Sequence, residues 1–411
     1  MIDVKFEFWT TPGHSHLKAI FEENDSKNGK REEGAGTPIT LREETVTFDY
    51  EVQDIHPDLL GLLCMITFFP FIGTEAEFPQ PVSSRLYEAF QNKCFTDKKD
   101  ISFRNISPDV EVYSGHKVAL SFGGGIDSSA VREMFPEAFV VHEAHIRDGK
   151  LIPSHSHDIV RSLEPHDGRL VETNIRYLSH PGGWHSWPCS VSTSLLMATD
   201  YKFGLILTGS ILGACFLSNG VKFWDRIRAR AWHGPSGNYW QSAFEAIGIT
   251  MFSPVTGVSE MQTMKLSRKL LAEQQVVYCM ESNGSACHSC TKCFRRAVIR
   301  AYIESDFSPD WDAYNTTPIH QFLSKRPLYF GHIFSTALSL KPEICPDWML
   351  GRLSDVVKIN NDWTMRLYQD SFLLCPPEWR EYIANRVSKF IEPMTENDCE
   401  EMRSWDQSLT N

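Results

Sequence analysis

Long apolar runs are scarce in this chain of 411 residues. The longest, Leu59 to Ile72, contains Gly61 and Pro70 and is shorter than the ~20 residues a membrane-spanning helix needs, so it reads as buried core. A basic excess is missing as well. Lys and Arg number 40 against 52 Asp and Glu, and the formal net charge of -12 argues against a broad electrostatic grip on nucleic acid or anionic lipid. A small-molecule or protein partner is favoured. The N-terminal MIDVKFEFWTT has no basic stretch followed by an apolar one and a small-residue cleavage site, so the expected compartment is the cytoplasm. No internal repeat or low-complexity tract is evident.

Cysteine is not scarce: there are 11, which in a reduced compartment act as core fillers, metal ligands or nucleophiles. The chain exceeds one ordinary core, and its patterning predicts three lobes. Residues 1–114 form a mixed α+β lobe, in which VKFEFW and TVTFDYEV alternate as half-buried strands while EENDSKNGKREEGAG between them reads as a mobile loop. Residues 115–300 alternate strand and helix: KVALSF, FVVHEAHI, RLVETNI and FGLILTGS are strands, and DSSAVREMF and SVSTSLLMATDY are helices. That alternation predicts an α/β fold with a parallel sheet. Residues 301–411, with WREYIANRVSKFIEPM, form a helical lobe.

The stretch ALSFGGGIDSSAV turns from strand to helix through three glycines, exposing backbone N–H groups at the positive end of a helix dipole. Glycines let phosphate oxygens approach the backbone, Asp127 can hold Mg2+, and Ser128 and Ser129 can donate hydroxyl hydrogen bonds. Lys is absent after the glycines, which excludes the GxxxxGK[ST] loop, and the spacing also fails GxGxxG. The bland alternative is a glycine turn with a capping Asp. Further on, Cys279, Cys287, Cys290 and Cys293 follow C-x7-C-x2-C-x2-C, a pattern that suits tetrahedral Zn2+, with an iron–sulfur cluster as the lesser reading.

The glycine stretch resembles the loop of the PP-loop (N-type) ATP pyrophosphatases, S-G-G-x-D-S. Gly124, Gly125, Ile126, Asp127 and Ser128 match, while Gly123 stands where the family has its first Ser. Ser121 or Ser129 supplies the missing hydroxyl, or backbone N–H groups suffice alone. With the cysteine quartet, Lys117 to Arg300 is similar to the 7-cyano-7-deazaguanine synthases, and the terminal lobes lie outside the resemblance. The resemblance implies an adenine-nucleotide alpha-hydrolase-like core with ATP, Mg2+ and Zn2+ as cofactors. It implies adenylation of a deazapurine-like carboxylic acid with release of pyrophosphate, then attack by ammonia or another amine, including one on a protein. ATP would lie against Ser121, Gly123, Gly124, Gly125, Ile126, Asp127, Ser128, Ser129, His142 and Gly209, with Asp127 as the catalytic Mg2+ partner and the zinc site fixing a wall of the substrate pocket.

Arg295 and Arg296 would meet a carboxylate or phosphate, unless they are simply solvated. The run KFWDRIRAR, Lys222 to Arg230, would reach phosphates or form a solvated helix face. After the next strand the related synthases carry a Lys, whereas here Ser259 and Glu260 come first and Lys265 later. Cys189 reads as a buried thiol rather than a sulfur-transfer nucleophile, and His180, His185, Trp184 and Trp187 as a packed loop that could otherwise cover a base-like ring. Two rival functions follow: a nucleotide-binding regulatory or scaffold protein without turnover, and a tRNA-thiolating enzyme that depends on Cys189.

Overall fold

The computed structural model describes residues 3–405 apart from 22–26, 32–36, 92–100, 218–237, 274–275, 277–278, 280–285 and 357–361. The basic run Lys222 to Arg230 therefore lies outside the described residues. The chain is mixed α/β and divides into two compact units, each assembled from separate stretches of sequence. The first comprises 1–123, 137–208 and 233–252, and the second 124–136, 209–232 and 253–411.

The first unit is built on one large sheet. Its strands are β1 (Asp3–Thr11), β2 (His14–Phe21), β5 (Thr45–Phe48), β6 (Glu75–Ser83), β7 (Ser102–Ser107), β8 (Lys117–Ser121), β9 (Phe139–Arg147), β11 (Gly168–Thr173), β13 (Phe203–Leu207) and β14 (Thr250–Phe252). They run in the order β14-β13-β8-β9-β11-β5-β2-β1-β6-β7, with β10 (Lys150–Leu151) added to β9. The five strands from β14 to β11 are mutually parallel. β13, with all five residues buried, is a continuous apolar run of the kind that parallel sheets covered on both faces select. At β11 the sheet changes character, because β5, β2 and β1 pair antiparallel before β6 and β7 return to parallel pairing.

The strands before residue 114 and those after it thus share a single sheet, joined where Phe48 faces Thr173. Leu59 to Ile72 is core as its composition predicts: the helix Pro57–Phe68 and the turn Phe69–Phe71 are buried from Leu59 to Phe71. Pro57 opens that helix, where its missing N–H costs nothing, and His56 caps it. The polar segment from residue 22 to 36 is corrected in part. Asn28–Lys30 is strand β3, paired with β4 (Pro38–Leu41), which in turn pairs with β12 (Ser179–His180). Cross-strand hydrogen bonds order it without an apolar face.

The second unit is helical. It contains the helix Ile126–Met134, which directly follows the glycine turn, and the helices Glu260–Leu266, Thr291–Ile303, Gly331–Leu340 and Pro377–Val387. The Ile126 and Thr291 helices both pack on Glu260–Leu266, and Gly331–Leu340 packs on Thr291–Ile303. Among the described residues, no helix is long and apolar enough to cross a membrane.

Candidate functional site

β8 delivers the chain to Ser121, and Gly124 takes a φ of +74°, a conformation that suits glycine. Gly125 is the N-cap of the Ile126 helix, and no side chain caps that end. The turn therefore presents uncapped helix N–H groups beside a carboxylate at Asp127, as the sequence predicts for this stretch. Gly209 lies so close that a Cβ on it would sit 2.8 Å from the Ser128 N, which only glycine permits. Gly123, by contrast, is exposed and a Cβ there would meet nothing within 4 Å, so the fold has room for a side chain at this position.

The hydroxyls divide. Ser121 Oγ donates to the Ser190 carbonyl at 2.5 Å, and Ser128 Oγ donates to the Gly125 carbonyl at 3.1 Å. Ser129 is fully buried in the helix, and its Oγ has no hydrogen-bond partner among the described residues. His142 is buried with both ring nitrogens engaged: Nδ1 at 2.5 Å from the Phe122 carbonyl and Nε2 at 3.0 Å from Ser156 Oγ. Burial brings its pKa down to about 4, so it is a neutral structural histidine with no nitrogen left for a nucleotide.

Asp127 is the centre of a charged cluster in the second unit. Thr263 Oγ1 donates to its Oδ1 at 2.7 Å. Thr263 and Glu260 lie three apart and so share a face of their helix, whose N-cap Ser259 accepts from the Gln262 N–H. Glu260 takes Arg295 through two bonds, Nε to Oε2 at 2.5 Å and Nη2 to Oε1 at 3.1 Å, with Arg296 Nε at 3.5 Å from Oε1. All three side chains are at least nine-tenths buried, and the Arg295 guanidinium also stands 4.0 Å from the Phe330 ring centroid. The two arginines are therefore not solvated on a helix surface, but neither do they wait for an external anion: Glu260 holds them.

Burial and the Glu260 carboxylate raise the Asp127 pKa, while Arg296, the Thr263 hydroxyl and Lys292 oppose the rise. Burial likewise acts to raise Glu260, yet Arg295 and Arg296 outweigh it and bring that pKa down to about 2. The lysine that meets this cluster, Lys292, does not follow β14 directly but stands on the helix that opens after the cysteines. Lys265, the first lysine there, is exposed on the last turn of its helix, whereas Lys292 lies within electrostatic reach of both Asp127 and Glu260. Three cations thus face two carboxylates, and the surplus positive charge favours an anion.

The four cysteines converge. Their sulfurs all lie within 4.8 Å of one another, with Cys279 Sγ 4.0 Å from Cys290 Sγ and Cys287 Sγ 3.8 Å from Cys293 Sγ. A tetrahedron with metal–sulfur bonds of about 2.3 Å has edges near 3.8 Å, so the group can hold a metal ion such as zinc. The C-x2-C spacings place the Cys290 N–H 3.3 Å from Cys287 Sγ and the Cys293 N–H 3.3 Å from Cys290 Sγ. Burial acts against ionisation of Cys287, but the Ser289 hydroxyl and the Ser289 and Cys290 amides prevail and bring it down to about 6. Cys290 is itself the N-cap of the Thr291 helix, so a metal would fix the end of the helix that carries Lys292, Arg295 and Arg296.

Ala286 and His288, on either side of Cys287, line a cavity of about 510 Å³ together with Arg268, Arg300, Phe307 and Tyr314. Its arginines are committed: Arg300 pairs with Glu304 at 2.9 Å and Arg268 with Asp306 at 3.7 Å. Cys189 is fully buried, its Sγ donates to the Ile66 carbonyl at 2.8 Å, and burial raises its pKa to about 12, so it is the inert thiol its surroundings in the sequence suggest. His185 is equally buried, with Nδ1 at 2.6 Å from the Thr67 carbonyl and Nε2 at 2.8 Å from Ser179 Oγ. His180 is exposed, and Trp184 and Trp187 are half-buried.

A family model described as "Family of unknown function (DUF6395)" matches residues 239–406. The match takes in Glu260, the cysteine quartet and the cations that follow it, but not the glycine turn. No curated protein and no solved structure matches the chain.

Proposed function

We propose that this protein is a PP-loop ATP pyrophosphatase related to the 7-cyano-7-deazaguanine synthases, which adenylates a carboxylic acid and passes the activated acyl group to ammonia or another amine. The observation that carries this reading is the uncapped glycine turn with Asp127 on its first helical turn, tied by Thr263 to a cluster with an excess of positive charge. In this reading the N–H groups of residues 124–128 receive the phosphates, and Asp127 holds Mg2+, which supplies charge neutralisation for the departing pyrophosphate. A divalent cation at Asp127 also offsets the burial and the Glu260 charge that raise its pKa.

Lys292 takes the place of the lysine absent after the strand, and Glu260 keeps Arg295 and Arg296 fixed behind it. Zinc on Cys279, Cys287, Cys290 and Cys293 serves as a fastener for that helix and performs no chemistry. His142 leaves the nucleotide-binding set, because its nitrogens are spent. The reading without turnover draws on Gly123 and on the lysine absent after the strand, and sulfur transfer loses its candidate nucleophile with the buried Cys189.

The test is to incubate zinc-loaded protein with Mg-ATP and 7-carboxy-7-deazaguanine, with and without ammonium, and follow AMP, pyrophosphate and the mass of the acid. Acid-dependent AMP, abolished in Asp127→Ala, is expected. Retained ATP binding with no AMP from this or any related acid would refute turnover and favour the regulatory reading.

A further inference from the structure

The four gathered cysteines are not equally placed. Cys279 and Cys293 are buried, whereas Cys287 and Cys290 are half-buried. These last two differ in setting. Cys290 is the N-cap of the Thr291 helix, and its Sγ accepts the Cys293 N–H, which ties it into the first helical turn. Cys287 comes before that helix, at a bend where His288 takes a φ of +58° and both His288 and Ser289 are exposed. The cavity of about 510 Å³ is lined by Ala286 and His288, the two chain neighbours of Cys287, and by neither neighbour of Cys290. Cys287 thus has an approach for a small solute that Cys290 lacks.

A sulfur that ligates a metal is ionised, and the thiolate is the form that attacks a peroxide. Cys287 also has a reaction partner at hand, because Cys293 Sγ lies 3.8 Å from its own. A modest side-chain rotation closes that gap to the length of about 2 Å that a disulfide needs. The other described cysteines compete poorly. Cys64, Cys189, Cys215, Cys345 and Cys375 are buried, and burial raises the pKa of the half-buried Cys399, which keeps it a protonated thiol.

We infer that Cys287 is an oxidation site, at which hydrogen peroxide converts the metal-binding group into a Cys287–Cys293 disulfide and releases the metal. The Cys287 thiolate attacks one peroxide oxygen: an S–O bond forms, the O–O bond breaks and hydroxide leaves. The Cys293 thiolate then attacks the Cys287 sulfur, forming the S–S bond and expelling a second hydroxide. Two thiolates lose two electrons, the peroxide gains them, and solvent protons turn both hydroxides into water. Cys279 and Cys290 remain, too few for a closed tetrahedral site. Cys293 adjoins Lys292 on the first turn of the Thr291 helix. Drawing its sulfur toward Cys287 therefore shifts the turn that brings Lys292 within electrostatic reach of Asp127 and Glu260. The inference rests on the metal reading of the four cysteines and is independent of adenylation.

The experiment adds hydrogen peroxide, in small steps, to the full zinc-loaded chain. A chromogenic chelator follows zinc release, dimedone traps sulfenic acid, and peptide mass spectrometry maps the cysteines. One zinc should leave per peroxide consumed, with dimedone on Cys287, a Cys287–Cys293 disulfide, and Cys279, Cys290 and Cys399 still open to alkylation. A thiol reductant supplied with zinc should restore the metal content. Cys287→Ser can lose zinc outright, so the second arm uses a variant that spares all four ligands. Ser289→Ala removes a hydroxyl that donates to Cys287 Sγ at 3.4 Å. A metal-bound thiolate relieved of a donor is a better nucleophile, so zinc release should quicken about twofold or more at unchanged zinc content. Zinc retained under peroxide, a first disulfide through Cys279 or Cys290, oxidation of Cys399 ahead of Cys287, or an unchanged rate in Ser289→Ala would overturn the inference. A chain that takes up no zinc overturns it together with the metal reading. Peroxide-driven zinc release from a chain that forms no AMP would refute adenylation and leave the oxidation site standing.

Discussion

The Glu260 cluster makes a demanding prediction about stability. Glu260→Gln keeps the size and one acceptor oxygen of the side chain but removes the charge that compensates two guanidiniums, one of them 1% exposed. Breaking a buried ion pair by removing one partner costs about 3–5 kcal/mol, because the remaining charge stays desolvated. The ionisation of Glu260 gives a separate figure. Desolvation opposes its charge, but Arg295 and Arg296 carry the pKa from the ordinary 4.5 down to about 2, which corresponds to about 3 kcal/mol. A carboxylate with a depressed folded pKa contributes its full stability above about pH 4.5 and loses it as pH falls toward 2. The assay is urea unfolding at pH 7, followed by circular dichroism, repeated down to pH 3.5. The wild type should lose stability over the acid range; Glu260→Gln should start about 3 kcal/mol lower at pH 7 and fall less steeply. Glu260→Gln combined with Arg295→Met should recover part of the loss, since the stranded guanidinium is then gone. A loss below about 1 kcal/mol at pH 7, with an unchanged acid limb, would refute the ion-pair account.

Further outcomes follow from the cysteine group and the glycine turn. One zinc per chain should be recovered by metal analysis, and Cys290→Ser should lower the metal content and make the segment around residues 286–303 more sensitive to protease, since Cys290 is both ligand and N-cap. Gly209→Ala should destabilise by about 1–3 kcal/mol, as its Cβ would press on the Ser128 and Asp127 backbone, whereas Gly123→Ser should fold as the wild type and retain or raise AMP formation; thermal melts of both variants check this.

The parallel half of the sheet was legible because its strands are short apolar runs separated by helix-patterned segments, and KVALSF, FVVHEAHI, RLVETNI and FGLILTGS are all strands in one parallel array. The partnership of β5 with β11 was not. Alternation marks a segment as a half-buried strand but does not name its neighbour, and this junction is a single facing pair, Phe48 with Thr173. Nor does local pattern reveal that the Ile126 helix clusters with residues beyond 253 while the strand before it clusters with the N-terminal strands. Strand β3 escaped notice because polar residues can be ordered by backbone pairing alone.

The cysteine group was legible for the opposite reason: short C-x2-C spacings limit how far three of the four thiols can separate, so covalent distance does what tertiary contact does elsewhere. Glu260 and Arg295 stand 35 residues apart, and nothing in either segment names the other. One signal was present and unread. Lys292, Arg295 and Arg296 fall at i, i+3 and i+4 of the helix that opens at Cys290, which places three cations on one face. Like charges at that spacing repel, so a short amphipathic helix can carry them inward only if carboxylates meet them. The pattern KCFRR therefore calls for acidic partners elsewhere in the chain, and Glu260 and Asp127 are the residues that answer it.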